Sequence, residues 1–213
     1  MSNSRIHSLD TVIFDVDDTL GNFTKSFDMW LAEKFGVDVP DRNQFKDYNL
    51  LAPFRDHLKE HETAISVLED FEATGRMSDP DHLYPTSVVW LARKLILSGF
   101  NVMALTARQW MKDGQKTTSD WLHTLGIDMP VHVLGLKDSK ADWINQQNAA
   151  GKLRGNIWVF EDNPHHIEDI AFRCPRVETP FVVDRPHNRS LSPTTFKRRI
   201  DPHSTNWINT WPN

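Results

Sequence analysis

Short, continuous apolar runs punctuate the chain. Thr11-Val12-Ile13-Phe14 is the first; residues 100–105, 131–134, 157–160 and, more weakly, 177–183 follow. None alternates polar with apolar, so each reads as a strand buried on both faces, as strands of a parallel sheet are. Helical spacing fills the intervals. Val88, Leu91, Ala92 and Leu95 keep an i, i+3, i+4, i+7 stripe that runs into the helix stop Ser98-Gly99. Trp121, Leu122 and Leu125 mark a second helix, closed by Gly126. Ser139 caps a third, with Trp143 and Ile144, and Asn163-Pro164 supplies the cap and first position of a fourth, with Ile167, Ile170 and Ala171. This alternation predicts right-handed βαβ units and an α/β fold built on a doubly wound parallel sheet, Rossmann-like and three layers thick.

One interval breaks the pattern. Between Leu20 and Thr86 there is no good strand, but Phe27, Trp30, Leu31 and Phe35 form one helical stripe, and Leu58, Ile65, Leu68 and Phe71 suggest one or two more helices. We read residues 21–85 as a small helical cap inserted after the first strand. It would sit at the carboxyl ends of the strands, where open α/β sheets bind ligands. Residues 1–20 and 86–213 then form the core with a C-terminal tail. The tail after Asp184 is rich in Pro, Asn, His and Trp and reads as irregular, wrapped on the core.

Composition narrows the classes. The 213 residues carry 39% hydrophobic and 25% charged positions with a formal charge of −5, and the pI is near 6.0 with a mean hydropathy of −0.50. An acidic chain lacks the basic footprint of a nucleic-acid or anionic-membrane binder. No apolar run approaches a membrane span. Met1 to Asp10 does not read as a signal peptide, and the single cysteine, Cys174, fits a reducing compartment, so a cytoplasmic location is expected. Neither a membrane nor a nucleic-acid polymer is expected as a partner.

The first run ends in Asp15-Val16-Asp17-Asp18-Thr19-Leu20. In an extended segment Asp15 and Asp17 face the same side, and two like charges there invite a cation. A helix N-cap cluster is the plainer alternative, but the string is richer than a cap needs. Residues 12–20 resemble the first motif of the haloacid dehalogenase superfamily, an apolar strand followed by DxDxT. Val102-Met103-Ala104-Leu105-Thr106 resembles its second motif, Lys140 within Ser139-Lys140-Ala141 its third, and Ile157-Trp158-Val159-Phe160-Glu161-Asp162 its fourth. The four occur in the family's order.

That resemblance implies a Mg²⁺-dependent phosphatase. Asp15 would be the nucleophile and Asp17 the general acid and base; dehalogenases need no acid there, so Asp17 argues for phosphoryl transfer. Thr106 would hydrogen-bond the phosphoryl oxygens and Lys140 would hold Asp15. Mg²⁺ would sit on the carboxylates of Asp15 and Asp162 and the carbonyl of Asp17. Lys137 competes with Lys140 for the motif position, and Glu161, where the family often has Gly or Asp, is a candidate outer metal contact. A closer likeness, to 5′(3′)-deoxyribonucleotidases, rests on Asp17-Asp18-Thr19-Leu20-Gly21-Asn22-Phe23, the modest cap and His187-Asn188-Arg189 before a Trp-containing end. It implies a nucleoside 5′-monophosphate substrate with Phe23, read as preceding the cap helix, lining a base pocket. The chain departs from that family at Thr106-Ala107-Arg108, where the family has a Thr-Ser pair. Ala107 and Arg108 remain candidate phosphate contacts, with Arg108 equally suited to pairing an acidic neighbour. The alternatives are a phosphatase of another small phosphometabolite or of a nucleic-acid 3′ end, and a catalytically inactive phosphate-binding protein.

The remaining features read as structural. Phe27, Trp30, Phe35, Phe45, Tyr48 and Phe54 are cap core, His165-His166 surface histidines, and Lys197-Arg198-Arg199 a solvated run. Trp207 and Trp211 are tail anchors, with a homodimer contact as their other use, and His187-Asn188-Arg189 is a polar loop pinning the tail without a catalytic role.

Overall fold

A computed structural model describes residues 10–45, 49–178 and 180–208. Tyr48 and Trp211 lie outside them, as do Met1 to Leu9. Strands β1 (Thr11–Phe14), β2 (Asn101–Thr106), β3 (Val131–Val133), β4 (Ile157–Glu161), β5 (Phe181–Val183) and β6 (Arg198–Ile200) form one sheet in the order β3-β2-β1-β4-β5-β6. Every pairing is parallel. The order reverses beside β1, which places the carboxyl end of β1 at the crevice where such sheets hold ligands.

The continuous apolar runs are buried on both faces. Val12 and Phe14 join one core cluster with helices α3 (Val88–Leu97) and α4 (Gly114–Thr124). Ile13 joins the other, with α5 (Lys140–Ala149) and α6 (Pro164–Arg173). Phe14, Phe160 and Phe181 stack across β1, β4 and β5 with centroids 4.7 and 4.9 Å apart. The sequence cues for the helix ends hold: Ser139 caps α5 by accepting from Asp142 N–H, and Asn163 caps α6 ahead of Pro164.

Residues 21–85 carry α1 (Phe23–Phe35), α2 (Ala64–Glu72) and 3-10 turns at Arg42–Gln44 and Ala52–His57. Chain exit and return are stitched together: Gly21 bridges Pro85, and Asn22 N–H donates to Tyr84 O at 2.7 Å. A side chain at Gly21 would press on Leu83 and Trp121. Phe23, Phe27, Trp30 and Phe71 form an aromatic cluster, with centroids 5.3–5.9 Å apart. Phe54 is buried and Phe35 and Phe45 half-buried. Ile65 points to solvent, and Val67 takes the buried place on α2.

Several expectations change. Phe23 does not precede the cap helix; it opens α1 and stacks on Phe27 one turn on. The tail is not wholly irregular, because Arg198–Ile200 adds a parallel edge strand. Lys197-Arg198-Arg199 is therefore more than a solvated run: Arg199 is tied to Asp184 at 2.9 Å and to Asn188 at 2.5 Å. Val177 makes a single bridge to Ile157, and the strand proper begins at Phe181. Trp207 is buried against the core and donates to Asp201 O, as a tail anchor should. No helix among the described residues is long and apolar enough to cross a membrane.

Candidate active site

Asp15 follows the last residue of β1, so the sheet itself delivers its carboxylate to the crevice. Lys140 arrives from the first position of α5, with Nζ 2.5 Å from Asp15 Oδ1 and 2.7 Å from Glu161 Oε2. Lys137 is exposed on the preceding loop, so Lys140 is the lysine of the site. Glu161 ends β4, and its other oxygen accepts from Asn163 N–H. Its contact is thus primarily with Lys140. Asp162 follows, fully buried, accepting from Thr19 Oγ1 at 3.2 Å.

Asp17 turns its carboxylate toward Arg108, which donates from Nε to Oδ2 (2.9 Å) and from Nη2 to Oδ1 (2.5 Å). Thr106 Oγ1 stands 3.5 Å from Asp17 Oδ2. Of the two open readings of Arg108, the acidic neighbour is the one found. Asp18 takes a left-handed backbone, φ 58°, and its carboxylate accepts from Thr24 N–H and Oγ1. That contact fastens the loop after β1 to the first turn of α1.

A cavity of about 280 Å³ opens over these groups, lined by Asp15, Asp17, Ala107, Lys140, Glu161 and Asp162, with Phe23 and Trp110 among its apolar walls. Phe23 is only 3% exposed, its ring packed on Phe27 and Phe71, whereas Trp110 is half-buried.

The electrostatics favour a bound cation. Burial pushes Asp15 up, to about 7, with Glu161 and Asp17 adding to the effect and Lys140 opposing it. Asp162 is raised by burial and by Asp15, Asp18 and Glu161. Burial works against the Lys140 ammonium, yet Asp15 and Glu161 outweigh it and hold it above its ordinary value. Oxygens of Asp15, Glu161 and Asp162 lie within 4.8 Å of one another. Buried carboxylates of this density, with hard oxygen donors, fit Mg²⁺.

Two sequence readings are corrected. His187-Asn188-Arg189 does more than pin the tail: His187 Nε2 lies 2.9 Å from Asp162 Oδ2, and Asn188 Nδ2 donates to Asp162 O at 2.8 Å. These residues fix the orientation of Asp162, and the buried Asn188 also holds Val183 O. His165-His166 is not a surface pair. His165 is exposed, but His166 is half-buried and lines the cavity, and burial together with nearby Lys140 pushes it down to about 4. No local signal reveals either contact, since each depends on where α6 and the loop after β5 return to the sheet.

No family model matches the chain, and no curated protein matches it. Solved structures do. A haloacid dehalogenase-like hydrolase from Streptococcus pneumoniae superposes with a TM-score of 0.55 at 17% identity over 84% of this chain and 86% of that one. Protein tyrosine kinase A of Mycobacterium tuberculosis gives 0.60 at 19% over 96% and 97%. CbbY of Rhodobacter sphaeroides, solved with phosphate, gives 0.56 at 14% over 91% and 94%. The six-stranded parallel sheet, its strand order and these superpositions identify the fold as haloacid dehalogenase-like.

Proposed function

We propose that this protein is a Mg²⁺-dependent phosphatase that works through an aspartyl-phosphate on Asp15. The observation that carries the reading is the Lys140–Asp15 pair, buried beside Glu161 and Asp162 at the carboxyl ends of β1 and β4. CbbY, with the same fold, was solved with phosphate, and the hydrolase likeness agrees.

Bound at Asp15, Asp162 and the Asp17 carbonyl, Mg²⁺ would supply charge neutralisation and phosphate orientation. Asp15 Oδ attacks phosphorus, the P–O ester bond breaks, and the leaving oxygen takes a proton from Asp17. Water then attacks phosphorus and passes a proton to Asp17, the Asp15–phosphorus bond breaks, and phosphate departs. Ala107, on the cavity wall, would face the phosphoryl group, buried Thr106 reaches Asp17 through Oγ1, and Lys140 holds Asp15 and balances the charge that develops. His187 and Asn188 hold Asp162.

Within that reading, residues 21–85 act as a cap over the core, and the substrate is a nucleoside 5′-monophosphate. The apolar walls of the cavity support this, with Trp110 offering a ring face that Phe23, packed in its cluster, does not. A small phosphometabolite without a base is the second reading, and the same walls would accept its apolar parts.

The experiment is turnover of 4-nitrophenyl phosphate and of a panel of nucleoside monophosphates, with Mg²⁺ or with EDTA, by wild type and Asp15→Asn. Mg²⁺-dependent release that Asp15→Asn abolishes is expected. No turnover of any ester would leave a phosphate-binding protein as the reading.

A further inference from the structure

We propose that Arg108 is a positioning residue for Asp17, aiming its carboxylate at the water that hydrolyses the aspartyl-phosphate, and is not a phosphate ligand. The inference rests on the phosphatase reading. Arg108 is 0% exposed. Two of its nitrogens hold both oxygens of Asp17, and Nη1 donates to buried Thr118 Oγ1 at 3.0 Å. The cavity is lined by Ala107 but not by Arg108. A guanidinium fork fixes both the distance and the plane of a carboxylate, which a lysine cannot do.

The backbone around Arg108 is pinned as well. Met111 N–H donates to Arg108 O, and Gln109 N–H donates to Leu134 O beyond β3. A Cβ at Gly114 would lie 2.3 Å from Arg108 O, so α4 closes directly on that carbonyl. Thr118 sits one turn further along the same helix. The clamp is therefore built from β2, α4 and the loop between them, while Asp17 remains 20% exposed on the cavity side. Oδ2 is engaged by Arg108 Nε and approached by Thr106 Oγ1, whereas Oδ1 meets Arg108 alone, which leaves Oδ1 to take the proton that the attacking water delivers. Water oxygen bonds to phosphorus, the phosphorus–Asp15 bond breaks, and the proton goes to Asp17.

The test is pre-steady-state kinetics of Arg108→Lys and Arg108→Met with 4-nitrophenyl phosphate, whose leaving group departs without protonation. A displacement of about 1 Å in a catalytic group costs on the order of 100-fold. We expect kcat to fall roughly 10–100-fold, KM to fall with it as the aspartyl-phosphate accumulates so that kcat/KM changes little, and a burst of one nitrophenolate per enzyme ahead of slow turnover. Arg108→Lys should recover part of the loss. A raised KM at wild-type kcat would make Arg108 a phosphate ligand, and equal loss without a burst would make it merely structural; either overturns the proposal. Wild-type kcat in both variants does the same. If Arg108→Met fails to fold, Arg108→Lys alone decides by its burst. Absence of wild-type turnover removes the phosphatase reading itself, an outcome distinct from an active wild type with unaffected variants.

Discussion

Lys140 Nζ lies 2.5 Å from Asp15 Oδ1, across 125 residues of sequence. Both groups are nearly dry, with side-chain exposures of 4% and 7%. Lys140 also holds Glu161, so it is the shared cation of two buried carboxylates. Removing one partner of a buried pair leaves an uncompensated charge, at a cost of about 3–5 kcal/mol. Lys140→Met should therefore lower the melting temperature by several degrees and suppress turnover by orders of magnitude. Differential scanning calorimetry with and without Mg²⁺ checks the first, and saturating Mg²⁺ should restore part of the stability. A variant as stable as wild type in EDTA would mean that Lys140 is not the shared counter-charge.

Asp15→Asn acts differently. It removes the proposed nucleophile and one of several crowded carboxylates, while Lys140 keeps Glu161. Phosphatase turnover should fall to less than about a hundredth of wild type. Stability should hold or rise. A residual rate above that level counts against a covalent aspartyl mechanism.

The raised Asp15 carboxyl also sets a pH dependence. Its folded value, about 7, lies above the ordinary 3.8, so the folded state keeps the proton longer than the unfolded chain. The resulting stabilisation is full below about pH 4 and is lost as pH rises through 7, at up to roughly 1.4 kcal/mol per pH unit. Asp162 shifts in the same direction. In EDTA, the stability of wild type relative to Asp15→Asn should fall from pH 5 to about pH 7 and level off above it. Mg²⁺, replacing the proton, should flatten that slope. Melting curves of the two proteins across this range, with the same slope in EDTA and Mg²⁺, would contradict a metal on Asp15.

Which parts of this arrangement were legible in the sequence follows from how local each signal is. Thr11-Val12-Ile13-Phe14 is apolar on both faces, so β1 and the position of Asp15 at its end could be read directly. Ser139 and Asn163 announce α5 and α6 by cap chemistry, which is confined to one turn. Strand β6 could not be read, because Arg198 and Arg199 are charged and only Ile200 is fully buried on that edge. The Arg108–Asp17 clamp spans 91 residues and the His187–Asp162 contact 25, and nothing in the intervening spacing encodes them. The packing of Phe23 is hidden for a related reason. Its partner Phe71 comes from α2, so the sequence around Asp15 to Phe23 does not reveal how little of the ring remains free.

His187→Ala tests the orientation of Asp162. The imidazole holds Asp162 Oδ2, and Asn188 holds the carbonyl of the same residue. Outer contacts to a metal ligand typically matter by 10–100-fold in affinity. The Mg²⁺ concentration for half-maximal activity should rise by about that factor in His187→Ala, with kcat at saturating Mg²⁺ much less affected. Asp162→Ala should raise the requirement further. An unchanged Mg²⁺ titration in both variants would detach this loop and the end of β4 from the metal.

Trp110→Ala and Phe23→Ala together test the nucleotide reading. Phe23 is 3% exposed and braced by Phe27 and Phe71, so its truncation opens a cavity between α1 and α2. Phe-to-Ala changes of this kind cost about 3–5 kcal/mol of stability. Phe23→Ala should therefore lower the melting temperature and slow nucleotide and simple-ester turnover by similar factors. Trp110 is half-buried on the cavity wall, on the loop that also carries Ala107. Base stacking on an aromatic ring is worth about 1–3 kcal/mol. Taking the lower half of that range, Trp110→Ala should reduce kcat/KM for a nucleoside monophosphate by roughly 5–30-fold. A phosphate ester without a base should be almost unaffected. Equal loss on both substrates would assign Trp110 to packing and leave a small, non-nucleotide phosphometabolite as the better substrate class.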